Sequence, residues 1–436
     1  MSKLPQNDRR RVFLFLQGPS SSLFRRLADR LECAGHRCLR INLNAGDWLF
    51  WRRSGAVNYR GTLSAWSKYI DAFLHDFGVT DLILLGEERP YHRAAIEAAK
   101  TLDVAVTVIE MGYLRPDWVA VEKDGMSSNS RFPNDPLEIR QAAVGLPSPD
   151  FSRKFNQSFL TEAALDLSYN LPNVFFSALY PGYRRHGLFH PIAEYAGWVG
   201  RILTSSRERG ETEKLVDTVI KSGRSFFVYP LQLETDYQLR SHSPYSTQTE
   251  AIEEIITSFS RYAPDDVELI VKLHPLDNGL MKWRHQISET AKKNGVEARV
   301  HYIASGDLLR LTEASRGLVT VNSTAVLHGL RHGVPVKVLG CAVYDVAGAT
   351  HQGALDDFWQ VPEKPDAGLI EDFFKLLAAA IHVRGNFYSR KGAIAAADAI
   401  AGRLLRDGIN VPGGDCGFVP RRRPEKRQDA QPLAPL

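Results

Sequence analysis

The sequence predicts an α/β protein made of two doubly wound parallel sheets that follow one another along the chain. In both halves, short apolar runs alternate with amphipathic stretches of helical periodicity, and a less periodic segment separates the halves. With 436 residues, 44% of them hydrophobic, the chain is long enough for two cores of roughly 150 to 200 residues each. We therefore expect two Rossmann-type domains.

The first half supplies four strand–helix steps. RVFLFLQG (11–18) has the composition of a buried strand, and residues 23–34 have helical periodicity that ends at Gly35, a residue suited to the left-handed conformation of a helix end. Further strands are predicted at 36–44, 81–87 and 104–110, and further helices at 62–77 and 92–102.

The second half repeats the alternation after the less periodic residues 129–207. Strands are predicted at 225–232, 267–275, 298–303, 317–322 and 335–340, and helices at 248–262, 281–294, 306–314 and 324–332. Two such units facing a cleft are the GT-B plan of nucleotide-sugar glycosyltransferases. Epimerases and periplasmic-type binding proteins share this outline, so the fold alone does not give the function.

Five segments are predicted along the chain. They are a disordered tail (1–10), an N-terminal Rossmann-like domain (11–195), a C-terminal Rossmann-like domain (196–375), helices that cross back to the N-terminal domain (376–412) and a disordered, basic, Pro-rich tail (413–436). The net charge of +4 is concentrated at the ends, since residues 1–11 and 421–436 each carry +3 and leave −2 for the rest. The last segment is either a solvated tail or a polybasic contact with anionic lipid.

Composition excludes several classes of protein. The four cysteines form no CxxC pair and no regular framework, which favours a reducing cytoplasm. Residues 12–16 are too short an apolar run for a signal peptide, and no apolar span of 18 residues is present, so neither secretion nor membrane crossing is expected. The body of the chain has no basic surface pattern interleaved with aromatic residues, so nucleic acid is not an expected partner.

Two strand ends of the second half carry polar residues suited to phosphate. VKLHPLD places Lys272 and His274 at alternate positions where a strand ends, and VNSTAVLHGL places Asn322, Ser323 and Thr324 at a strand-to-helix turn. Each has a purely structural alternative, because Ser323 is also a good N-cap and His274 a good strand-end residue. Their occurrence in one α/β unit favours a phosphate site.

Other motifs are absent or incomplete. The sequence has no GxxxxGK[ST] and no GxGxxG, which disfavours kinases, ATPases and dinucleotide oxidoreductases. His328 and His332 have the i,i+4 spacing of zinc ligands on a helix, but the glutamate of HExxH and an obvious third ligand are missing. No metal site is expected.

Acidic residues are predicted at strand ends in both halves. VYPLQLETDYQL delivers Gln232, Glu234 and Asp236 on alternate positions after a strand that ends at Pro230. In the first half Glu110 ends the fourth strand. Paired carboxylates across a cleft suit acetal or ketal chemistry, although Glu110 is equally well explained as an ion-pair partner of Arg115.

Two further segments of the first half are candidates for ligand contact. Gln17, Gly18 and Pro19 end the first strand at the predicted cleft. GDWLFWRR (46–53) combines aromatic and basic residues in a manner suited to a lipid–water boundary, although aromatic clusters are more often part of a core.

Several long stretches together resemble the capsule polysaccharide biosynthesis and export proteins of Gram-negative bacteria, of the KpsS (LipB) type. The similar stretches include RINLNAGDWLFW, EMGYLRPDWVAVEKDGMSSNS, YPLQLETDYQLRSHSPY, VKLHPLD and VNSTAVLHGLRHGVPVKVLG, and the resemblance covers roughly residues 11–403. It implies a retaining GT-B transferase that moves β-Kdo (3-deoxy-D-manno-octulosonic acid) from CMP-Kdo to lysophosphatidylglycerol, at the start of the capsule lipid linker.

The resemblance also implies roles for individual residues. Related β-Kdo transferases of the KpsC type carry an EDGF-R-S motif, a Q-x-E-x-D segment, a K-x-HP motif and a T-S turn. Their Q-x-E-x-D aspartate, a nucleophile that forms a glycosyl-enzyme intermediate, falls on Asp236, and their acidic motif falls on Glu110. The motif departs here at Met111, where the relatives carry a second acid, so the role of Glu110 is left open.

The donor implied by the resemblance sets the remaining expectations. CMP-Kdo has one phosphate, so Lys272, His274 and the turn at Asn322 to Thr324 are expected to bind it without a metal or another cofactor. Arg115 and Arg240 are candidates for the Kdo carboxylate, and Gln232 and Glu234 for support of Asp236 or the sugar. The N-terminal domain would bind the acceptor and the C-terminal domain the CMP-sugar.

The expected location is the cytoplasmic face of the inner membrane, with other capsule proteins as further partners. Two alternatives remain: a non-catalytic role in capsule export or as a scaffold, and a GT-B transferase that uses a different nucleotide sugar.

Overall fold

The computed structural model describes residues 10–156, 158–185, 187–413, 421 and 424–427. The chain forms two compact units. The first comprises the described residues of Met1–Pro133, Gly145–His186 and Phe374–Pro420, and the second those of Asn134–Val144, Gly187–Phe373 and Arg421–Leu436. Most of the two predicted tails lies outside the described residues.

Strands and helices are numbered in chain order through both units. The strands are β1 (Val12–Phe15), β2 (Arg37–Asn42), β3 (Ala56–Asn58), β4 (Asp81–Leu85), β5 (Ala105–Met111), β6 (Trp118–Lys123), β7 (Phe226–Pro230), β8 (Glu268–Lys272), β9 (Val300–Ile303), β10 (Gly317–Thr320), β11 (Val336–Val338) and β12 (His382–Arg384). The helices are α1 (Leu23–Cys33), α2 (Ala45–Trp51), α3 (Leu63–Asp76), α4 (Pro90–Thr101), α5 (Pro136–Ala143), α6 (Phe159–Phe175), α7 (Pro191–Ser222), α8 (Tyr237–Ser241), α9 (Gln248–Tyr262), α10 (Trp283–Lys293), α11 (Leu308–Ala314), α12 (Leu327–Arg331), α13 (Leu355–Phe358), α14 (Ala367–Ile381) and α15 (Arg390–Leu405).

The first unit contains a seven-stranded sheet in the order β12-β6-β5-β4-β1-β2-β3. The four predicted strands, β1, β2, β4 and β5, are parallel, as predicted, and so is β3, which was not predicted. In contrast, β6 runs antiparallel to β5 and β12 antiparallel to β6. The reason is the short link between β5 and β6, which holds six residues and leaves no room for the crossover helix that a parallel neighbour needs. The sheet is therefore mixed at one end.

The second unit contains a five-stranded sheet in the order β11-β10-β7-β8-β9, and every pairing in it is parallel. The chain places β8 and β9 on one side of β7 and then β10 and β11 on the other. Strand order therefore reverses between β7 and β10, and ligands of open α/β sheets bind at such a switch point, beyond the carboxyl ends of the strands. The predicted fold class is confirmed.

The boundary between the units differs from the predicted residue 196. The second unit begins at Gly187 and also takes up residues 134–144. The physical reason is α7, a continuous helix of 32 residues that starts at Pro191 and ends where Gly223 adopts a φ of 69°. Phe374–Pro420, in contrast, belongs to the first unit. The less periodic residues 129–207 thus contain two long helices, α6 and the start of α7.

None of the helices in the described part of the chain combines the length and apolar character that crossing a bilayer requires.

An aromatic cluster fixes the core of the second unit below its sheet. Trp359 is fully buried and packs edge-on against Phe227 and Phe259, with ring centroids 5.0 and 5.4 Å away. Its indole N–H donates to Ser258 Oγ at 2.8 Å. Phe227 lies on β7 and Phe259 on α9, so one side chain joins the central strand to the helix that covers it.

Replacing Trp359 by alanine is expected to lower the free energy of unfolding of the second unit by about 3–5 kcal/mol, because the change leaves a large cavity and removes the hydrogen bond to Ser258. Chemical denaturation followed by circular dichroism measures the change. Val361→Ala, at a neighbouring side chain that is 70% exposed, is the control and should have little effect. Equal stabilities of the two variants would contradict this account of the core.

Candidate functional site

The predicted polar residues of the second unit gather at its switch point. β7 is the central strand, and its neighbours β8 and β10 end beside it at the same sheet edge. Leu231 N donates to Lys272 O at 2.8 Å, which continues the pairing of β7 and β8 up to the loop. The segments 231–236, 272–274 and 322–324 therefore leave three adjacent strands at one edge.

Gln232 and Asn322 bind each other across the switch point. Gln232 Nε2 donates to Asn322 Oδ1 at 2.8 Å, and Asn322 N donates to Gln232 Oε1 at 3.1 Å. Asn322 Nδ2 also donates to Gln238 O at 2.8 Å and to His242 O at 3.3 Å, which ties the loop after β10 to the helix α8. Both amide side chains are buried, so this pairing fixes the loop after β7.

Asp236 caps the helix that this pairing holds. It is the N-cap of α8, and its Oδ1 accepts a hydrogen bond from Gln238 N at 2.8 Å. The carboxylate is half-buried. A capped, partly exposed carboxylate at the carboxyl end of the central strand is well placed to meet a ligand.

Glu234 is buried in the same loop with incomplete hydrogen bonding. Its Oε2 accepts from Gln248 N at 2.9 Å, whereas its Oε1 has no hydrogen-bond partner among the described residues. Burial raises the pKa of Glu234 to about 7, against the smaller opposing effects of the Gln248 hydrogen bond and of Arg240. This carboxyl group therefore titrates near neutral pH.

Arg240 contributes a positive charge from α8. Its guanidinium lies over the ring of Tyr237, 4.5 Å from the centroid, and Nη2 donates to Thr235 O at 3.3 Å. Its Nε is buried and has no hydrogen-bond partner in the described part of the chain. An unused donor beside Asp236 suits an anionic ligand.

Lys272 is a buried ammonium without a carboxylate partner. It is 5% exposed, its Nζ donates only to Leu273 O at 3.4 Å, and no described carboxylate forms an ion pair with it. Burial lowers the pKa of Lys272, and Arg201 lowers it further. Burying an unpaired charge costs free energy, so a lysine in this position is expected to meet an anion from outside the chain.

His274 lies just beyond β8 and is half-buried. Its Nδ1 accepts from Leu276 N at 3.1 Å, which places the proton of the neutral ring on Nε2. In the neutral ring Nε2 is then a donor, the kind of group that binds a phosphate oxygen.

The turn at Ser323 and Thr324 is mainly a cap. Ser323 Oγ accepts from Ala325 N at 3.2 Å, and Ser323 O accepts from Tyr344 Oη at 2.6 Å. The predicted helix 324–332 is a 3₁₀ turn, Thr324–Val326, followed by the five-residue α12. An element this short has a weak dipole. The purely structural role, that of an N-cap, therefore accounts for Ser323. The Thr324 hydroxyl makes no hydrogen bond to the described residues.

The first unit holds the other predicted site residues. Glu110 is the penultimate residue of β5 and half-buried, and its Oε1 accepts from Met111 N at 2.9 Å. Arg115 is exposed in the link between β5 and β6. The pairing of Glu110 with Asp236 across a cleft stays a prediction.

Gln17, Gly18 and Pro19 are buried within the first unit. Gln17 Nε2 donates to Tyr169 Oη at 3.1 Å and to Tyr183 Oη at 3.2 Å. A Cβ on Gly18 would lie 2.6 Å from the Phe24 ring. Packing alone therefore explains a glycine there, and the role of this loop in ligand binding stays a prediction.

Sequence reasoning missed two buried carboxylates of the first unit. Glu87 follows β4 and accepts from Met126 N at 2.8 Å, and burial raises its pKa to about 7. Glu122 lies on β6, fully buried, and accepts from Tyr113 Oη at 3.3 Å and from Ser130 Oγ. Glu87 directly follows DLILLG in the sequence, but its neighbours in GEERP do not indicate that its side chain is buried.

The structure brings a third potential metal ligand to His328 and His332, which was not obvious in the sequence, while the expectation of no metal site stays a prediction. Glu313 on α11 lies with them, and one potential ligand atom from each residue falls within 4.8 Å of the others. His328 Nε2 lies 3.4 Å from Glu313 Oε1. Glu313 was missed because it precedes the histidines by a strand.

The C-terminal segment provides the last contacts near the site. Lys426 Nζ donates to the carbonyls of Arg240, Ser243 (3.1 Å) and Tyr245 (2.5 Å), and Arg427 pairs with Glu254. These residues belong to the predicted basic tail. Composition alone gave no signal that they contact the loop after α8.

Comparison with known proteins places these residues in a family context. Residues 80–388 match the family model described as "Capsule polysaccharide biosynthesis protein". The chain is 29% identical over 377 residues to the capsule polysaccharide export protein KpsS of Escherichia coli, covering 86% of this chain and 96% of that protein. It is 30% identical over 389 residues to the capsule polysaccharide modification protein LipB of Neisseria meningitidis serogroup B, covering 86% and 91%.

Solved structures are similar at lower levels. The β-Kdo 2,7 transferase KpsC of Thermosulfurimonas dismutans is 12% identical with a TM-score of 0.44, covering 90% of this chain and 98% of that one. An MnaA–UDP structure from S. aureus is 11% identical with a TM-score of 0.31, covering 96% and 100%. Neither similarity carries a functional conclusion.

The raised pKa of Glu234 predicts a measurable pH dependence of stability. An unfolded glutamate titrates near 4.5 and the folded one near 7, so the stabilising protonated form is fully present below pH 4.5 and is lost as the pH rises through 7. Glu234→Gln keeps an acceptor for Gln248 N but cannot ionise. Between about pH 5 and pH 8, the free energy of unfolding of the parent protein is therefore expected to fall by roughly 2–3 kcal/mol more than that of the variant.

Urea unfolding of the second unit at several pH values tests this expectation. Glu253→Gln, at an exposed glutamate of α9, serves as the control and should follow the parent protein. Parallel pH profiles for Glu234→Gln and the parent would show that Glu234 does not titrate in this range.

Proposed function

This chain belongs to the capsule polysaccharide biosynthesis protein family, and from that premise we propose that it is a retaining glycosyltransferase. The proposed reaction moves β-Kdo from CMP-Kdo to a lysophosphatidylglycerol acceptor, at the start of the lipid linker of a capsule. The observation that carries the proposal is Asp236, the acid of the Q-x-E-x-D segment, held at the switch point of the second sheet by Asn322 and by the cap of α8.

Two cationic side chains at the same sheet edge as Asp236 support an anionic sugar-donor substrate. Lys272 has no carboxylate partner among the described residues, and Arg240 Nε has no acceptor. CMP-Kdo carries one phosphate and one sugar carboxylate, so two cations and the Nε2–H of His274 are sufficient to bind it. In this proposal Lys272 and His274 contact the phosphate and Arg240 the Kdo carboxylate, with no metal.

The proposed chemistry proceeds in two displacements. The Asp236 carboxylate attacks the anomeric carbon C2 of Kdo, the C2–O bond to phosphate breaks, and CMP leaves with the electron pair. The acceptor hydroxyl then attacks C2, the ester bond to Asp236 breaks, and a base takes the hydroxyl proton. Two inversions retain the β configuration.

A covalent route also suits the substrate. The carboxyl group on C2 withdraws electrons and disfavours a free oxocarbenium ion, so a carboxylate nucleophile lowers the barrier. Glu110 is the proposed base for the acceptor. Glu234, whose pKa is near 7, is proposed to donate a hydrogen bond to the sugar when protonated, and Gln232 to hold the loop.

The acceptor would be reached at a membrane. A lysolipid is partitioned into the bilayer, so the protein is proposed to act as a peripheral protein on the cytoplasmic face of the inner membrane, alongside other capsule proteins. The name of the Escherichia coli relative is that of an export protein, which keeps a non-catalytic export role as the competing function.

The role of Asp236 can be tested by replacing it with asparagine. Asp236→Asn retains the cap, because the amide oxygen still accepts from Gln238 N, but it cannot attack C2. Transfer of Kdo from CMP-Kdo to a lysophosphatidylglycerol analogue, measured by mass spectrometry, is expected to fall by about 10³-fold or more. Asp135→Asn, at the N-cap of α5, is the matched control and should retain activity.

Each other outcome contradicts the proposal in a distinct way. Full activity of Asp236→Asn would exclude Asp236 as the nucleophile. Turnover of CMP-sialate or a UDP-sugar in place of CMP-Kdo would assign a different donor. No turnover of any of these donors by the parent protein, combined with loss of surface capsule in a deletion strain, would favour the export role.

The role of Lys272 can be tested by removing its charge. Lys272→Met removes the charge at similar volume, so the fold is expected to be at least as stable, while the KM for CMP-Kdo rises by about 10–100-fold. Steady-state kinetics and thermal unfolding together separate binding from folding. Lys292→Met, at an exposed lysine of α10, is the control; an unchanged KM in Lys272→Met would remove Lys272 from the donor site.

A further inference from the structure

Helix α6 of the first unit is amphipathic with its apolar face directed outward. None of its 17 residues is buried. Leu160, Ala164, Leu167, Leu171 and Phe175 follow the i, i+4, i+7, i+11, i+15 spacing of one helix face. Leu160 and Phe175 are 77% and 75% exposed and Leu167 is 36% exposed, while Leu171 is half-buried. We call this face the α6 stripe.

The opposite face of α6 is polar and makes the contacts with the body of the unit. Tyr169 Oη donates to Asp47 Oδ1 at 3.1 Å, and Gly46 N donates to Asn173 Oδ1 at 2.7 Å. The two acids of the helix, Glu162 and Asp166, are spaced to lie on this side as well. Hydrogen bonds to α2 therefore fix the helix so that its stripe stays outside.

Helix α7 of the second unit repeats this arrangement in its first turns. Ile192, Ala196, Val199 and Leu203 share one face and are exposed, the three large side chains by 61%, 59% and 79%. On the other face, Arg201 donates to Asp277 O at 2.7 Å. We call the exposed face the α7 stripe. Neither stripe contains a charged residue.

These two helices concentrate the exposed apolar side chains of the chain. Among the described residues, ten of the 22 exposed large hydrophobic side chains lie within residues 159–203. Patches of this kind mark contact with another apolar surface, because leaving them in water costs free energy.

Charge and aromatic residues around α6 indicate which surface that is. Residues 150–185 contain four basic side chains, at 153, 154, 184 and 185, against three acids, of which Asp150 pairs with Lys154 at 2.9 Å. On α2, which packs against α6, Trp48 is 49% exposed and the Arg52 guanidinium lies 5.4 Å from its ring. An uncharged stripe on α6, together with an exposed tryptophan and an arginine at the helix that packs against α6, suits the headgroup region of an anionic bilayer.

We propose that the α6 and α7 stripes are the membrane-docking surfaces of this protein, each lying in the interfacial layer of a bilayer that contains anionic lipid. The choice of a lipid partner rests on the proposed function, since the acceptor is a lysolipid. The docking itself requires no donor and no catalysis. Trp51, in contrast, is buried with Phe15, so within the aromatic segment 46–53 the contact falls to Trp48.

Vesicle flotation of the full-length protein tests the proposal. Vesicles of phosphatidylcholine with about 30% phosphatidylglycerol are the probe, and vesicles of phosphatidylcholine alone are the comparison. The parent protein is expected to float with the anionic vesicles and less with the neutral ones. The double variants L160E/L167E and V199E/L203E are each expected to lower the partition coefficient by about tenfold or more, because a charge replaces each leucine or valine that would enter the bilayer.

The matched control is L137E/V361E, which places the same charges at side chains that are 67% and 70% exposed elsewhere in the second unit. It should float like the parent protein, and thermal unfolding should be alike for all four proteins. Transfer to a soluble lysolipid analogue should be unchanged in the stripe variants, which separates loss of docking from failure of the proposed function.

Three results would overturn the inference. The parent protein fails to float with either vesicle; the stripe variants float as well as the parent; or light scattering shows a dimer that L160E/L167E or V199E/L203E dissociates while vesicle binding persists. The last result would make the stripe an interface between copies of the chain.

Discussion

Asn322 joins the two loops that leave β7 and β10, and the site of the second unit depends on that connection. Its side chain binds Gln232 from one loop and the carbonyls of Gln238 and His242 from α8. Amide groups pair well without charge, so the connection is stable when buried and does not itself use the nearby charged side chains. Asp236 owes its position to this arrangement, since it caps the helix that Asn322 holds. Strand order reverses at the same place, which is where a parallel sheet offers room for a ligand.

The charged residues around this connection are under-satisfied in a consistent way. Lys272 and the Nε of Arg240 are donors without anionic partners among the described residues, and Glu234 has one oxygen without a donor. Native proteins bury few such groups, and those they keep are commonly functional. In the proposed function, the phosphate, carboxylate and hydroxyl groups of the donor would satisfy both kinds of group. Leaving such groups unpaired costs free energy, which a bound ligand would recover.

The sequence predicted the parts of the protein that local pattern controls. The strand ends at Gln232, Lys272 and Asn322 follow from apolar runs that stop at polar residues, and the parallel sheet of the second unit follows from alternation. The direction of each strand was harder to predict. Strand β6 is antiparallel because its link to β5 is short, and the sequence of an apolar strand does not indicate its direction in the sheet. Non-local burial was invisible, as Glu87 illustrates, and so was non-local proximity, as Glu313 illustrates. The helices α6 and α7 lie largely in the stretch that was predicted to be less periodic, and the spacing of an apolar face does not show whether that face points into a core or outward.

The central claim is that Asp236 forms a covalent bond with the sugar of a CMP-activated donor. Intact-protein mass spectrometry after incubation with CMP-Kdo in the absence of acceptor tests it most directly. If Asp236 is the nucleophile, the protein gains the mass of one Kdo residue, located on the peptide that contains Asp236 and absent from Asp236→Asn. Efficient transfer to the acceptor without any adduct, or an adduct on another residue of the parent protein, would contradict it.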